Sequence, residues 1–136
     1  MKISIYTDGG SRGNPGPGAI GVVILDESKK LVAEHKESIG HTTNNKAEYS
    51  AMEKALMMAA KIGASDLSCF SDSQLVISQL KGDWKVRDKT LRPLFESIKT
   101  LEKAFDKVTY THIPRCSDPF STRADELVNE ALDEQI

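Results

Sequence analysis

Four acidic residues stand where the sequence predicts that strands end or helices begin. They are Asp8, Glu48, Asp72 and Asp125. Asp8 closes an apolar strand and opens a glycine-rich stretch, whereas the other three fall in predicted first helical turns. Strand C-termini and neighbouring helix N-termini can converge on one edge of an α/β sheet. Carboxylates that meet there without a basic partner repel one another and call for a divalent cation.

The chemistry of such a cluster is restricted by its ligand atoms. A set made only of oxygens suits Mg²⁺ or Mn²⁺ rather than zinc. The sequence contains no Cys/His zinc pattern and no Gly-x-x-x-x-Gly-Lys-Ser/Thr phosphate loop. Two ions could clamp both oxygens of an in-line phosphoryl displacement, one orienting and deprotonating water and the other stabilising the leaving 3′ oxygen. If the four acids meet, they predict phosphodiester hydrolysis.

Asp8 and Glu48 each have an alternative interpretation that needs no metal. Asp8 followed by glycine is a common turn dipeptide. Glu48 fits a capping box that begins at Asn45. However, Glu48 shares a predicted helix face with small residues such as Ala51 and Ala55, which should pack on the sheet. A capping glutamate has no need to point in that direction.

Asp72 and Asp125 also have local explanations. Asp72 could cap a helix that begins at Ser73, and Asp125 could follow a helix cap at Thr122. Each explanation is adequate by itself. Together they do not explain why all four acids fall at adjoining ends of predicted core elements.

The elements that must position the acids follow the order β-β-β-α-β-α-α-β-α. Period-two alternation predicts strands, and apolar residues at helical spacing predict helices. The predicted strands span 3–8, 19–25, 31–39, 66–71 and 107–113, and the predicted helices span 47–62, 73–80, 91–105 and 124–132. A three-strand meander followed by strands alternating with helices predicts a mixed sheet with helices packed on it.

The bulk composition is that of a soluble globular protein, with 39% hydrophobic and 28% charged residues. No apolar run approaches the roughly 20 residues that cross a bilayer, and no signal-peptide pattern opens the chain, so we expect a cytoplasmic protein without a membrane partner. Two cysteines are too few for a disulfide framework. The net charge of −2 argues against a general nucleic-acid binder, although an acidic cluster would mask a basic surface elsewhere.

Four ordered segments resemble the signature segments of type 1 ribonuclease H. They are 6–19, 42–48, 72–74 and 124–127. The resemblance implies an α/β ribonuclease H-like fold, with a five-stranded mixed sheet of order 3-2-1-4-5 and helices on both faces, as one domain over residues 1–136. It also implies hydrolysis of the RNA strand of RNA–DNA hybrids to 5′-phosphate and 3′-hydroxyl ends, with two Mg²⁺ ions that Mn²⁺ can replace. By position, the family's catalytic metal ligands correspond to Asp8, Glu48, Asp72 and Asp125. No protein partner is implied, and we expect a monomer.

The resemblance further assigns substrate contacts. Residues matched to the hybrid's backbone or minor groove are Gly9, Gly10, Ser11, Asn14, Asn44 and Gln74. Contacts of this kind would read the 2′-hydroxyls that distinguish RNA from DNA. Residues matched to positions near the DNA strand are Thr43, at a phosphate, and Asn45. Without the family match, loop and helix-cap chemistry explains these polar residues equally well.

The loop before the last helix departs from the familiar bacterial pattern, because it contains no histidine. Arg115 can stand in for that histidine as a substrate contact, but it cannot act as a general base because it stays protonated. His112 falls on the predicted last strand, where we expect a structural role. Ser121 stands where many relatives have asparagine. These changes bear on the turnover rate rather than on the class of reaction.

A second departure is the missing basic handle, an extra helix and loop that some members insert after the third acid. Here a short basic cluster surrounds Trp84 instead, formed by Lys81, Lys85, Arg87, Lys89 and Arg92. We interpret Trp84 and Lys85 as a reduced site that grips the DNA strand by stacking and phosphate contact. The alternative is a solvated loop with one half-buried tryptophan.

The leading hypothesis is therefore a metal-dependent endoribonuclease that acts on RNA–DNA hybrids. One alternative is a catalytically weak or silent hybrid-binding module. The four acids argue against it, because binding alone would gain from losing negative charge beside a phosphate. Another alternative is a DNA resolvase or integrase-like nuclease on the same fold. Asn44, Asn45 and Gln74 favour RNA, because their types suit recognition of 2′-hydroxyls.

Overall fold

The computed structural model describes residues 1–135 and has the predicted order of elements. The strands are β1 (Lys2–Ser11), β2 (Gly16–Leu25), β3 (Leu31–Thr42), β4 (Asp66–Ser71) and β5 (Lys107–His112). The helices are α1 (Asn44–Ile62), α2 (Gln74–Leu80), α3 (Arg92–Glu102) and α4 (Pro119–Asp133). Within residues 1–135, no helix combines the length and the apolar character needed to cross a bilayer.

The five strands form one mixed sheet in the predicted order β3-β2-β1-β4-β5. β1, β2 and β3 pair antiparallel, whereas β4 is parallel to β1 and β5 is parallel to β4. The pairing of β1 with β4 ends at Thr7 and Ser71. Beyond that point β1 continues to Ser11 with β2 as its neighbour. The sheet therefore opens between β1 and β4 directly where Asp8 and Asp72 follow.

Helices cover both faces of the sheet, which confirms the predicted fold class. On one face α1, α2 and α3 bury a large core that includes Ile5, Leu56 and Ile98. On the other face α4 packs over Tyr6 and Val23 of β1 and β2. The two helices that carry Glu48 and Asp125, α1 and α4, thus lie on opposite faces of the same central strands.

Two glycines allow these helices to approach the sheet by backbone contact. A Cβ at Gly9 of β1 would overlap the carbonyl group of Ala47 in α1. A Cβ at Gly21 of β2 would overlap the carbonyl oxygen of Ala124 in α4. Gly21 is also the residue paired with Asp8 across the β1–β2 ladder. Both close approaches bring an acid-bearing helix down onto the strand positions beside Asp8.

The strands are longer at the glycine-rich end than the sequence predicts. β1 runs to Ser11, β2 begins at Gly16 and β3 runs to Thr42. Glycine and proline lower the strand propensity of this stretch, so its sequence predicts a loop rather than a strand. Pairing outweighs that propensity, because Ser11 lies opposite Gly18 in the continuous β1–β2 ladder.

The predicted placement of three acids in first helical turns is wrong. Glu48 is the fifth residue of α1, and Asp72 precedes the cap of α2. α4 begins at Pro119 rather than after Thr122, because Asp118 forms a capping box with Ser121, and this puts Asp125 in the second turn. The sequence 119–123 lacks the apolar spacing of the later turns, so periodicity misses the first turn.

Candidate active site

Asp8, Glu48 and Asp72 each bring a carboxylate oxygen to within 4.8 Å of the others. We call these three residues the carboxylate trio. Asp8 lies on β1 just past its last pair with β4, and Asp72 follows the last residue of β4. Glu48 reaches the same opening from α1 on one face of the sheet. The convergence predicted from the sequence is therefore present for these three residues.

Glu48 is held in this position by the backbone of β1. Its side chain is buried, with 8% of the residue exposed, and its Oε1 accepts a hydrogen bond from the N–H of Gly9 at 2.7 Å. The cap of α1 is Thr43, whose Oγ1 accepts from the N–H of Lys46. The capping-box interpretation of Glu48 is therefore wrong, because its carboxylate points away from the helix start and into the site.

The carboxylate of Asp72 is likewise not used as a helix cap. Ser73 caps α2 by accepting a hydrogen bond from the N–H of Val76 at 3.3 Å. The backbone carbonyl of Asp72 lies 3.2 Å from Nε2 of His112 at the end of β5. The strand ladder and this contact orient the backbone, and the Asp72 side chain belongs to the trio.

Asp125 lies on the α4 side of the same cleft, which has a volume of about 310 Å³. Its Oδ1 is 3.3 Å from Nη2 of Arg115. Asn129, one turn further along α4, donates from Nδ2 to the Asp125 carbonyl at 3.0 Å and to its Oδ2 at 3.4 Å. Asp125 is thus the acid of the four that has a cationic neighbour.

The electrostatics of the trio disfavour a fully ionised site. Burial, followed by repulsion from Asp72 and Asp125, raises the pKa of Asp8 from 3.8 to about 7. Burial, followed by repulsion from Asp8 and Asp72, raises the pKa of Glu48 well above its ordinary value. The N–H of Gly9 acts in the opposite direction on both. Within residues 1–135 no lysine or arginine forms an ion pair with the trio.

These features fit a hard divalent cation. All the side-chain ligand atoms that converge are carboxylate oxygens, which Mg²⁺ and Mn²⁺ prefer, and no thiolate or imidazole joins them among the described residues. Positive charge placed among the trio would offset the repulsion that raises both pKa values. Asp8 lies near both Asp72 and Asp125, whose charges each raise its pKa.

Some of the predicted substrate-binding residues line the cleft together with the acids. They are Gly9, Gly10, Ser11, Asn44 and Arg115. The hydroxyl oxygen of Ser11 is buried and has no hydrogen-bond partner among residues 1–135. A buried hydroxyl of this kind is costly unless a further group satisfies it. Asp125 raises the pKa of Arg115 above its ordinary value, so the guanidinium is a permanent cation at the rim.

The remaining predicted contacts lie outside the cleft. Asn14 uses its Oδ1 to accept the N–H of Asn44 at 3.0 Å, so it joins the β1–β2 turn to the start of α1. Thr43 is the cap of α1, and Asn45 and Gln74 are exposed near helix starts. Trp84 is 46% exposed, and Lys85 is exposed beside it. Asn45, Gln74, Trp84 and Lys85 are therefore accessible from solvent, but none of these predicted contacts lines the cleft with the acids.

Two polar residues that line the cleft were not singled out from the sequence. Asn129 lies four residues after Asp125, so helical spacing alone could have placed it on the same face. Arg12 lies at the β1–β2 turn and forms an ion pair with Asp133 of α4 at 2.6 Å. That pair joins positions 121 residues apart, and no local signal in the sequence indicates it.

Comparison with known proteins adds independent findings. Residues 6–131 match the family model described as reverse transcriptase-like. The chain is 44% identical to ribonuclease HI of Halobacterium salinarum over 98% of this chain, and it spans 65% of that protein's length, which is less than two thirds. It is also 35% identical to ribonuclease H of Clostridium botulinum over 98% of this chain and 97% of that protein.

Solved structures agree with these similarities. The crystal structure of RNase H1 from Halobacterium salinarum superposes with a TM-score of 0.94, covering 98% of this chain and 99% of that chain. LC11-RNase H1, solved in complex with an RNA/DNA hybrid, superposes with a TM-score of 0.91 at 42% identity, covering 98% of both chains. Both comparisons extend over the strands and helices that carry the four acids.

Proposed function

Because the chain belongs to the type 1 ribonuclease H family, we propose that it is an endonuclease that hydrolyses the RNA strand of RNA–DNA hybrids. The observation that carries the proposal is the carboxylate trio, whose oxygens lie within 4.8 Å of one another beside Asp125. We further propose that residues 1–136 form one such domain, of which residues 6–131 match the family model, and that the protein acts as a monomer.

The proposed cofactor is a pair of Mg²⁺ ions, for which Mn²⁺ can substitute. When bound, the ions would supply the positive charge that lowers the pKa of water and stabilises the leaving 3′ oxygen. Asp8, Glu48 and Asp72 would hold one ion, and Asp8 with Asp125 would hold the other. The role of the protein is to fix these ligands on rigid elements, so that no rearrangement of the acids is needed during the reaction.

The residues around the acids would bind and orient the hybrid. The hydroxyl of Ser11 lacks a partner within the described residues and could donate to an oxygen of the RNA strand. Asn44 lines the cleft, and its backbone is fixed by Asn14. Such contacts suit recognition of 2′-hydroxyls, which would direct cleavage to RNA. Arg115 would neutralise phosphate charge at the rim, and it cannot accept a proton because it stays a cation.

The exposed loop between α2 and α3 would grip the DNA strand outside the cleft. Trp84 offers a stacking surface and Lys85 a phosphate contact, while Thr43 and Asn45 lie at the start of α1. In this arrangement the four acids at the sheet edge would carry out the reaction, and the loop would contribute much of the affinity for the hybrid. Phosphate contacts of this kind make binding strongly dependent on salt.

The test is a cleavage assay with labelled RNA–DNA hybrid, double-stranded RNA and double-stranded DNA. Each substrate is incubated with Mg²⁺, Mn²⁺ or EDTA, using wild type and Asp8→Asn. The proposal predicts that wild type cuts the hybrid's RNA strand with either metal, and that EDTA or the substitution abolishes cutting. Binding of the hybrid without cleavage would indicate a silent binding module, and cutting of duplex DNA would indicate a DNA nuclease.

A further inference from the structure

A buried glutamine of α2 connects α1, the helix that carries Glu48, to the loop that carries Trp84. Gln79 is 5% exposed, and its Oε1 accepts a hydrogen bond from the hydroxyl of Tyr49 in α1. Its Nε2 donates to the backbone carbonyl of Lys85 at 3.2 Å. Tyr49 is the residue after Glu48, and Lys85 is the residue after Trp84. One side chain therefore joins a neighbour of a metal-ligand candidate to a neighbour of the stacking residue.

The direction of these two bonds is fixed by the backbone carbonyl of Lys85, which can only accept a hydrogen bond. The amide nitrogen of Gln79 is a donor, so it must face this carbonyl. The amide oxygen of Gln79 then faces Tyr49 and accepts the hydrogen bond from its hydroxyl. Both polar ends of the buried side chain are satisfied in this orientation. A residue needed for packing alone would be apolar here, because burying an amide without partners is costly.

The loop has few other attachments near Lys85. The N–H of Trp84 donates to the carbonyl of Ser78 at 3.1 Å on one side. On the other side Val86 is buried in the core, with 7% exposed. Lys85 lies between these anchors, and the bond from Gln79 holds its carbonyl. Arg92 also donates to the carbonyl of Val86, so the flanking residues are attached to α2, α3 and the core. The bond from Gln79 is the attachment that links the Lys85 backbone, through Tyr49, to α1.

We propose that Gln79 is a positioning residue, which holds Trp84 and Lys85 at a fixed distance from α1 so that the loop and the acids engage one hybrid together. The inference rests on the proposed function, because it identifies how affinity for the same substrate is built. Gln79 does not approach the reacting atoms. Substitution of Gln79 should therefore weaken binding of the hybrid and leave the rate of the chemical step unchanged.

The first test is Gln79→Met, which keeps the side-chain volume close to that of glutamine and removes both hydrogen bonds. For Mg²⁺-dependent cleavage of a synthetic 12-base-pair RNA–DNA hybrid, KM should rise about five- to tenfold while kcat changes less than about twofold. Trp84 is the single tryptophan of the chain, so its fluorescence reports on the loop directly. Its quenching by acrylamide should increase about twofold as the loop loosens.

A double variant separates positioning from stability. Gln79→Met leaves the Tyr49 hydroxyl buried without a partner, whereas Tyr49→Phe with Gln79→Met replaces both groups by apolar ones, which can be nearly neutral for folding. The double variant should regain thermal stability but keep the raised KM and the accessible tryptophan. Recovery of a normal KM together with stability would overturn the inference, because Gln79 would then act through stability alone.

Tyr110→Phe is the matched control. It removes the phenol–carboxylate bond between Tyr110 and Glu102, 2.5 Å long, which joins β5 to α3 rather than α1 to the loop. This variant should leave KM and the quenching of Trp84 unchanged. A folded Gln79→Met protein with the same KM and quenching as wild type would also overturn the inference. Failure of wild type to cleave any hybrid would instead contradict the proposed function, and the quenching result would still decide whether Gln79 holds the loop.

Discussion

The carboxylate trio and the Trp84 loop are held in place by different means. Regular structure positions each acid of the trio. Asp8 lies on a paired strand, Asp72 directly follows the end of one, and Glu48 lies on a helix that touches the sheet through backbone atoms. The Trp84 loop has no regular structure, and a buried valine with a few hydrogen bonds attaches it to the core. The trio is acidic and buried or half-buried, whereas the loop is exposed and basic.

This difference indicates how the molecule divides its tasks. Carboxylates that repel one another stay together only where the surrounding fold leaves them no alternative position. The raised pKa of Asp8 and of Glu48 reflects that constraint. A loop that binds phosphate and bases needs no such constraint, because its charges are solvated before substrate arrives. We therefore expect changes at the trio to affect kcat and changes at the loop to affect KM.

The largest expected effect is that of Asp8→Asn. Asp8 is the acid shared by both proposed ion sites, so its loss should lower kcat by about a thousandfold or more. The protein should stay folded and gain stability in EDTA, because one of the repelling charges is gone. Steady-state cleavage of the hybrid and thermal unfolding measure the two effects. Asp106→Asn, at the opposite end of the sheet, is the control and should retain wild-type kcat.

The second prediction concerns stability against pH without metal. The pKa of Asp8 is about 7 when folded and near 3.8 when unfolded, so the folded protein keeps a proton that the unfolded chain releases. Stability in EDTA should therefore fall as pH rises from about 4 to 7, by about 2–4 kcal/mol, and this contribution should level off above pH 7. Mg²⁺ should restore the loss at pH 8 and have little effect at pH 5.

Urea unfolding at several pH values, with EDTA or Mg²⁺, measures this dependence. Asp8→Asn serves as the control and should flatten the decline. The carboxyls of Asp88 and Glu130 have lowered pKa values, so the stability they contribute is lost at pH below that window. A metal-free protein that becomes steadily more stable from pH 4 to 7 would contradict the electrostatic description of the trio.

The third prediction tests the loop. Trp84→Ala should raise KM for the hybrid about tenfold through lost stacking and leave kcat within about threefold of wild type. The effect should appear in initial-rate measurements at moderate salt. Leu31→Ala removes another exposed apolar side chain, 57% exposed on β3, and should leave KM unchanged. A large fall in kcat with constant KM would contradict the proposal that the trio determines kcat and the loop determines KM.

The smallest effect is expected for His112→Ala. The side chain is exposed and touches the backbone carbonyl of Asp72, while the pairing of His112 with Ser71 does not depend on it. We expect kcat to change by less than about threefold, because an exposed hydrogen bond to a backbone carbonyl contributes little. His35→Ala on β3 is the control. A thousandfold loss of kcat in a folded protein would show that the imidazole takes part in the chemistry.

The residue patterns were sufficient to predict the order of elements and the meeting of three acids, whereas the order of strands was predicted from the resemblance to type 1 ribonuclease H. Strand ends follow from alternating patterns that finish at charged residues, as at Asp8 and Asp72. Glu48 could be assigned to the inward face because its helix neighbours at three- and four-residue spacing are small and apolar. These patterns extend over only a few residues around each acid, so they can be recognised without knowledge of the tertiary contacts. The catalytic and substrate-binding roles of the residues stay predictions until they are tested.

Most of what the sequence did not indicate depends on contacts between distant segments. The start of α4 is the exception, because it depends on the local Asp118 cap, which no apolar pattern accompanies. The extension of β1 to Ser11 depends on a partner strand that overrides the low strand propensity of glycine. The role of Gln79 depends on Tyr49, 30 residues earlier, and a glutamine within a short helix gives no sign of such a partner.

The missing side chain at Gly21 has a consequence for spacing across the molecule. α4 rests directly on the backbone of β2 at this position, opposite Asp8 in the ladder. The distance between α4 and the sheet, and with it the separation of Asp8 and Asp125, therefore depends on residue 21 having only a hydrogen atom as its side chain. Any larger group there would act as a spacer and widen the cleft from beneath, without touching an acid.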